Sequence, residues 1–152
     1  MTQGKTMTAY DPDSILIEHG IRPSRQRRAI LKFIAEHPMH PTAEDVYQAL
    51  YKKIKTLSRT TVYNTLRLFC SRGAAQMVTL EENEMRFDAT TRPHGHFKCS
   101  CCGKIFDFFC DKTLANASMQ LPEGFSTDET QLYVRGMCKE CNEQQNTNAG
   151  CA

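Results

Sequence analysis

Two Cys-x-x-Cys pairs, Cys99/Cys102 and Cys138/Cys141, constrain this chain of 152 residues more than any other feature. A two-residue spacer lets both sulfurs of a pair face one ion, and two such pairs supply the four thiolates of a tetrahedral zinc site. The 35 residues between Cys102 and Cys138 exceed the usual zinc-ribbon gap of about 15 to 20, so the knuckles are expected to flank a folded insert. Cys101 lacks the spacer to Cys102, and Cys70, Cys110 and Cys151 read as bystanders. No leader-like apolar segment follows Met1–Lys5, and no apolar run approaches the roughly 20 residues of a membrane helix. A cytoplasmic protein is therefore expected, in which eight cysteines point to metal binding or redox chemistry more than to disulfides.

Charge divides the chain near Gly73. Residues 1–72 carry twelve Lys and Arg against six Asp and Glu, whereas the remainder carries seven against eleven. A basic module followed by an acidic one suggests two domains, the basic one suited to nucleic acid. Within it, residues 1–12 show no apolar periodicity and read as a flexible arm. Asp13-Ser14 can cap a short helix, Ile15–Glu18, closed by Gly20. From Ser24 to Glu36, Ala29, Ile30, Phe33 and Ile34 fall at helical spacing, and Pro38 and Pro41 stop the run. Thr42-Ala43-Glu44-Asp45 has the form of a capping box and opens a third helix that ends near Lys53. Ser58 caps a fourth, Arg59–Ser71, with Val62, Leu66 and Phe69 on one face and Arg59, Thr60, Tyr63, Asn64 and Arg67 on the other. Gln76–Leu80 and Glu84–Asp88 read as a hairpin. Helices followed by a hairpin describe a winged helix over residues 13–90. Its last helix enters the major groove, where Asn64 suits adenine and Arg59 or Arg67 suits guanine or phosphate, with Thr60, Thr61 and Tyr63 beside them.

The remainder is expected to be a small α/β domain over residues 91–143, making the whole an α+β protein, with a disordered tail over 144–152. Short strands are expected at Phe97–Cys99, Lys104–Phe109 and Thr127–Val134, with a helix from Asp111 to about Met119. Ile105, Phe106, Phe108 and Phe109 exceed what so small a unit hides alone, and association into a dimer would cover the excess. His94 and His96 share one face of a strand, as chelation requires. Asp107 and Asp88 are plausible oxygen partners, and His40 or His37 is a nitrogen partner from the basic module. Spacing does not choose between the last two.

His40-Pro41-Thr42-Ala43-Glu44-Asp45-Val46-Tyr47, Thr61-Val62-Tyr63-Asn64-Thr65-Leu66, Arg86-Phe87-Asp88 and the run from His94 to Lys104 together resemble the ferric uptake regulator family, from about Ile21 to Cys141. The resemblance implies a homodimeric, metal-dependent repressor of double-stranded DNA operators, not an enzyme, with an N-terminal winged helix, a C-terminal dimerisation domain and structural Zn(II) on Cys99, Cys102, Cys138 and Cys141. It matches His40, Asp88, His94, His96 and Asp107 to the regulatory metal site, for Fe(II) or Mn(II), and leaves His37 out. Asp107 where the iron-uptake branch usually has Glu, Asn64 where that branch carries Arg, and Pro93 in place of an extra His resemble the peroxide-responsive branch. The implied signal is hydrogen peroxide, which oxidises the ligand histidines His40 and His94 through bound Fe(II) and so releases the operator. The alternatives are an iron- or zinc-responsive repressor of the same family and, from another class, a thiol redox enzyme or a metal-storage protein.

Overall fold

The computed structural model describes residues 10–81, 84–92, 94–109, 120–127 and 130–148. The chain forms two compact units, Met1–Thr91 and Arg92–Ala152. The flexible arm expected over residues 1–12 lies outside the described residues up to residue 9, and the helix expected at 111–119 lies outside them entirely.

Polar caps punctuate the first unit. α1 spans Pro12–Glu18 and starts three residues earlier than its sequence suggests. Asp11, not Asp13 or Ser14, is the N-cap, accepting from the Asp13 N–H at 3.1 Å. Pro12 fits the first helical position because it has no N–H to satisfy there. α2, Arg25–Glu36, is capped by Ser24, whose Oγ accepts from the Arg27 N–H at 3.2 Å. It buries Ile30, Leu31 and Ile34, so the inner face includes Leu31, while Ala29 and Phe33 sit at its margin.

α3, Ala43–Leu50, carries the full capping box: Thr42 Oγ1 accepts from the Asp45 N–H at 3.1 Å, and Asp45 accepts from the Thr42 N–H at 2.9 Å. It ends at Leu50 rather than Lys53, because the chain turns there to bury Ile54. α4, Arg59–Ser71, is capped by Ser58 and buries Val62, Thr65, Leu66 and Phe69. Gly73, at φ +75°, closes it: Ala74 N–H reaches Phe69 O at 2.9 Å and Gly73 N–H reaches Cys70 O at 3.1 Å, a Schellman pair.

β1 (Gln76–Glu81) and β2 (Glu84–Asp88) pair antiparallel, with Gln76 opposite Asp88. The outer edge of β2 is also engaged: Phe87 N–H donates to Pro41 O at 3.0 Å, and Thr42 bridges to Arg86. The segment before α3 is thereby tied to the sheet. All four helices converge on one core of Leu16, Ile30, Leu31, Ile34, Val46, Val62, Leu66, Phe69 and Phe87.

The second unit is a three-stranded sheet in the order β4-β3-β5, followed by a helix. β3 spans Gly95–Cys99 and β4 spans Ile105–Phe108, antiparallel, with His96 opposite Asp107. β5, Leu132–Gly136, runs parallel to β3 and ends two residues beyond the strand expected to finish at Val134. α5, Lys139–Asn148, occupies much of the stretch expected to be a disordered tail. Its sequence, Lys-Glu-Cys-Asn-Glu-Gln-Gln-Asn-Thr-Asn, has no apolar stripe, so periodicity could not reveal it. Among the described residues no helix is long and apolar enough to cross a membrane.

Phe69 is fully buried where α4 meets the core. Phe69→Ala is expected to lower the unfolding free energy by about 3–5 kcal/mol in urea denaturation, with the slope unchanged.

Candidate metal centres and nucleic-acid face

The sulfurs of Cys99, Cys102, Cys138 and Cys141 lie within 4.8 Å of one another in the second unit. Each is placed by local backbone. Cys99 ends β3, and the chain doubles back through a tight turn in which Gly103 N–H donates to Cys99 O at 3.0 Å and Cys99 N–H donates to Lys104 O at 2.9 Å. Gly103 takes φ +72°, a conformation open to glycine. Cys138 follows β5, and Cys141 lies in the first turn of α5. Cys102 Sγ and Cys138 Sγ stand 3.8 Å apart. That is far beyond a disulfide bond of about 2.05 Å and close to the ~3.8 Å edge of a tetrahedron of sulfurs around zinc at ~2.3 Å.

Backbone donors suit Cys99 to act as a thiolate, whereas the Cys138 thiol and then burial push the Cys141 thiol up. Cys138 N–H donates to Cys99 Sγ at 3.3 Å. The Cys99 thiol is drawn down to about 6, chiefly by the Cys102 N–H and then by the Cys138 N–H. Cys70 is half-buried against the first core and Cys101 is exposed; neither joins the four. Cys110 and Cys151 lie outside the described residues.

A second cluster stands on β3 and β4. His96 Nε2 is 3.6 Å and His94 Nε2 3.8 Å from Asp107 Oδ1. Both histidines are buried, while the Asp107 side chain is 24% exposed. The antiparallel register places His96 directly opposite Asp107, and the two-residue strand period brings His94 to the same side. Two ligands at ~2.1 Å from one ion stand roughly 3.4–3.6 Å apart, so these separations suit a shared cation. His94 Nδ1 lies 2.6 Å from Arg92 O. A carbonyl only accepts, so Nδ1 carries a proton there, which leaves Nε2 as the atom available to a metal, as in metal-bound imidazoles held by an outer carbonyl.

The first unit contributes the pair His40 and Asp88, with Nε2 3.6 Å from Oδ2. His40 is 1% exposed and has φ +53°, the only positive φ at a non-glycine among the described residues. Its carbonyl accepts from Arg86 Nη1 at 3.0 Å, and Arg86 is held in turn by Glu84 at 2.7 Å. Asp88 Oδ1 accepts from the Thr90 N–H at 2.7 Å. The Gln76 amide approaches Oδ2 at 3.5 Å. His37 is occupied elsewhere: its Nδ1 meets Phe33 O at 2.7 Å and its ring stacks on Phe33 at 3.9 Å. Of the two histidines that spacing left open, His37 packs on Phe33 and His40 stands beside Asp88. Gln76 was not singled out from the sequence, because its reach across the hairpin to Asp88 leaves no spacing signal, and the bonds of Thr90 to Asp88 and of Arg86 to the His40 carbonyl were not foreseen.

On α4, Arg59, Thr60, Asn64 and Arg67 are exposed, whereas Thr61 and Tyr63 are half-buried. Thr61 Oγ1 lies 2.8 Å from the capping Ser58 Oγ, so it serves the helix start as well as the outer face. Arg67 lies 5.8 Å from the Tyr63 ring centroid. Arg59 is engaged by α3, through Glu44 and the Tyr47 ring.

The family whose sequence model matches the chain is the Ferric uptake regulator family, over residues 18–135. The chain is similar to the peroxide operon regulator of Bacillus subtilis, 36% identical over 137 residues covering 86% of this chain and 91% of that protein. It is also similar to the peroxide-responsive repressor PerR of Staphylococcus epidermidis, 36% identical over 128 residues covering 84% of this chain and 85% of that protein. Among solved structures it resembles the ferric uptake regulator from Pseudomonas aeruginosa with manganese, at a TM-score of 0.64 and 25% identity, covering 86% of this chain and 99% of that one.

Gly95, between the two histidines, admits the Phe108 ring: a Cβ there would fall within 2.8 Å of three ring carbons. Gly95→Ala is expected to cost about 1–3 kcal/mol in thermal unfolding through this overpacking, and the double variant Gly95→Ala/Phe108→Leu to recover part of it.

Proposed function

Because the chain belongs to the ferric uptake regulator family, we propose that it is a homodimeric, cytoplasmic, metal-dependent repressor that binds double-stranded operator DNA and releases it on exposure to hydrogen peroxide. The first unit acts as a winged helix, with α4 entering the major groove and β1–β2 as the wing. The second acts as the dimerisation domain. Phe106 and Val134, both exposed and on the same face of its sheet as Phe97, offer apolar surface that a second copy would cover.

The four cysteines hold structural Zn(II), replacing a hydrophobic core that the second unit is too small to build. His40, Asp88, His94, His96 and Asp107 hold one regulatory Fe(II) or Mn(II). Three imidazoles and two carboxylates suit such borderline ions better than they suit a thiolate-seeking one. Because the ligands come from both domains, the bound state selects a geometry competent for DNA.

The observation that carries the peroxide reading is the donor set around Asp107: a single short carboxylate facing His94 and His96 across adjacent strands. The peroxide regulators to which the chain is similar support it, as does Asn64 on α4. Fe(II) held by these residues would supply the redox chemistry for peroxide to oxidise an imidazole, which Mn(II) would not. One peroxide oxygen would enter the ring of His40 or His94 in place of a ring hydrogen and the other would leave as water; the oxidised ring would be a poorer ligand, which would loosen the link between domains and free the operator. The role is regulatory rather than enzymatic, since no substrate is turned over.

The test uses the full chain loaded with Fe(II) or Mn(II) and a duplex selected from a randomised pool by the Mn(II) form. After low peroxide, the Fe(II) form is expected to lose duplex affinity and to gain one oxygen atom on peptides containing His40 or His94, while the Mn(II) form keeps its affinity and its mass. An Fe(II) form with unmodified histidines and full affinity would assign the protein to sensing metal availability instead. Separately, Cys99, Cys102, Cys138 and Cys141 are expected to resist alkylation until a strong chelator is added, with helical signal lost on metal removal. Four thiols that alkylate freely without chelator would favour a redox thiol protein.

A further inference from the structure

Arg59, the first residue of α4, does not hang free in solvent. Its Nε donates to Glu44 Oε2 at 2.8 Å and its Nη2 to Glu44 Oε1 at 2.9 Å, a two-point fork from the first turn of α3. Glu44 Oε1 also accepts from Gln48 Nε2 at 2.7 Å, which fixes the carboxylate from the next turn. The guanidinium carbon sits 4.3 Å from the centroid of the Tyr47 ring, within cation–π range. Tyr47 is itself half-buried against the core and stacked on Tyr51 at 5.3 Å. A line of packed groups therefore runs from the core through Tyr47 to a guanidinium whose plane and edge are both set.

Strength is not what this arrangement supplies. The Arg59 and Glu44 side chains are 63% and 52% exposed, and ion pairs in such surroundings add little to stability. Orientation is what it supplies. Glu44 takes the Nε–Nη2 side of the fork, leaving three N–H groups, among them the end-on pair on Nη1 and Nη2. That pair has the spacing that meets guanine O6 and N7. The first residues of a recognition helix are the ones that reach base edges, and ordering a flexible arginine beforehand removes an entropic cost from binding. Glu44, Arg59 and Tyr47 lie on different elements, so no spacing rule links them.

We propose that Glu44 and Tyr47 of α3 are positioning residues for specific DNA recognition, holding Arg59 as a preorganised reader of one guanine in the operator. This rests on the reading of α4 as the DNA-facing helix. The carboxylate does not mask the arginine, since it engages the side of the guanidinium that base reading leaves unused. Glu44 is held below the ordinary carboxylate range by Arg59 and then by Gln48, so it is charged wherever the protein is folded near neutral pH.

The Mn(II)-loaded full chain is tested against the duplex it selects from a randomised pool and against an unselected random duplex, at several salt concentrations. Arg59→Ala, Arg59→Lys and Glu44→Ala are each expected to weaken binding to the selected duplex about fivefold to a hundredfold, with little change on the random duplex. Glu44→Gln should fall between wild type and Glu44→Ala, and Arg59→Ala should add little in the Glu44→Ala background. Glu44→Gln keeps size and one acceptor, which guards against a folding defect, and unchanged thermal unfolding checks it.

Three results would overturn the proposal. Equal losses on both duplexes would make Arg59 a phosphate contact. Tighter binding of Glu44→Ala to both would make Glu44 a mask. Unchanged specificity in Arg59→Ala would leave only a surface ion pair. Failure of the wild-type protein to select any duplex would instead remove the DNA-binding reading itself, and the proposal with it.

Discussion

The second unit depends on one cluster of sulfurs. Among the described residues, those of the second unit that are buried and pack together are Cys99, Cys138 and Cys141, with Phe97 and Met137 against them. A sheet of three short strands and a polar helix buries too little apolar surface to offset the entropy of ordering its chain. The four-sulfur cluster brings together the end of β3, the turn that follows it, the exit of β5 and the first turn of α5. The rest inherits its position from that clasp. β3 carries His96 and Gly95, and the antiparallel register set beyond the Cys99–Lys104 turn puts Asp107 opposite His96. The cysteine cluster thus sits at the end of the strand that carries His96 and beside the turn that leads to Asp107.

The first unit follows another logic. Its helices share a continuous apolar core and begin at polar caps, so its outer faces are free to carry chemistry. One loop is an exception: residues 40–42, tied to β2 through Pro41 O, the Thr42 bridge and the His40 carbonyl. The first unit holds His40 beside Asp88, and the second brings His94 and His96 to Asp107.

Much of this was legible in the residues. α4 and its Ser58 cap, the capping box of α3 and the hairpin through Asp88 appear where pattern places them, because each is set by neighbours within a turn or two. The misses share a cause. α5 has no apolar periodicity and is anchored at Cys138 and Cys141, so only knowledge of the cluster foretells it. α1 starts at Pro12 because Asp11 outranks two later residues equally able to cap. β5 slides toward Gly136 because it pairs in parallel with β3, a register no local pattern encodes. Among site residues, the four cysteines were plain from spacing, whereas spacing left His37 and His40 alike and only the family resemblance preferred His40; the structure places His37 against Phe33 and His40 beside Asp88. The hold of Glu44 and Tyr47 on Arg59 was invisible, being purely tertiary.

The left-handed backbone at His40 bears on how this protein can drift. The single-nucleotide neighbours of a histidine codon encode Tyr, Asn, Asp, Leu, Pro, Arg and Gln. Of these, Asn and Asp settle most readily at positive φ, since their short polar side chains bond to nearby backbone, whereas Leu and Pro strain or forbid it. The paths of least damage to the fold therefore exchange an imidazole nitrogen for an oxygen. A lineage wandering at this position would alter the taste of its metal pocket before it lost the architecture, so chemical preference is here more evolvable than shape.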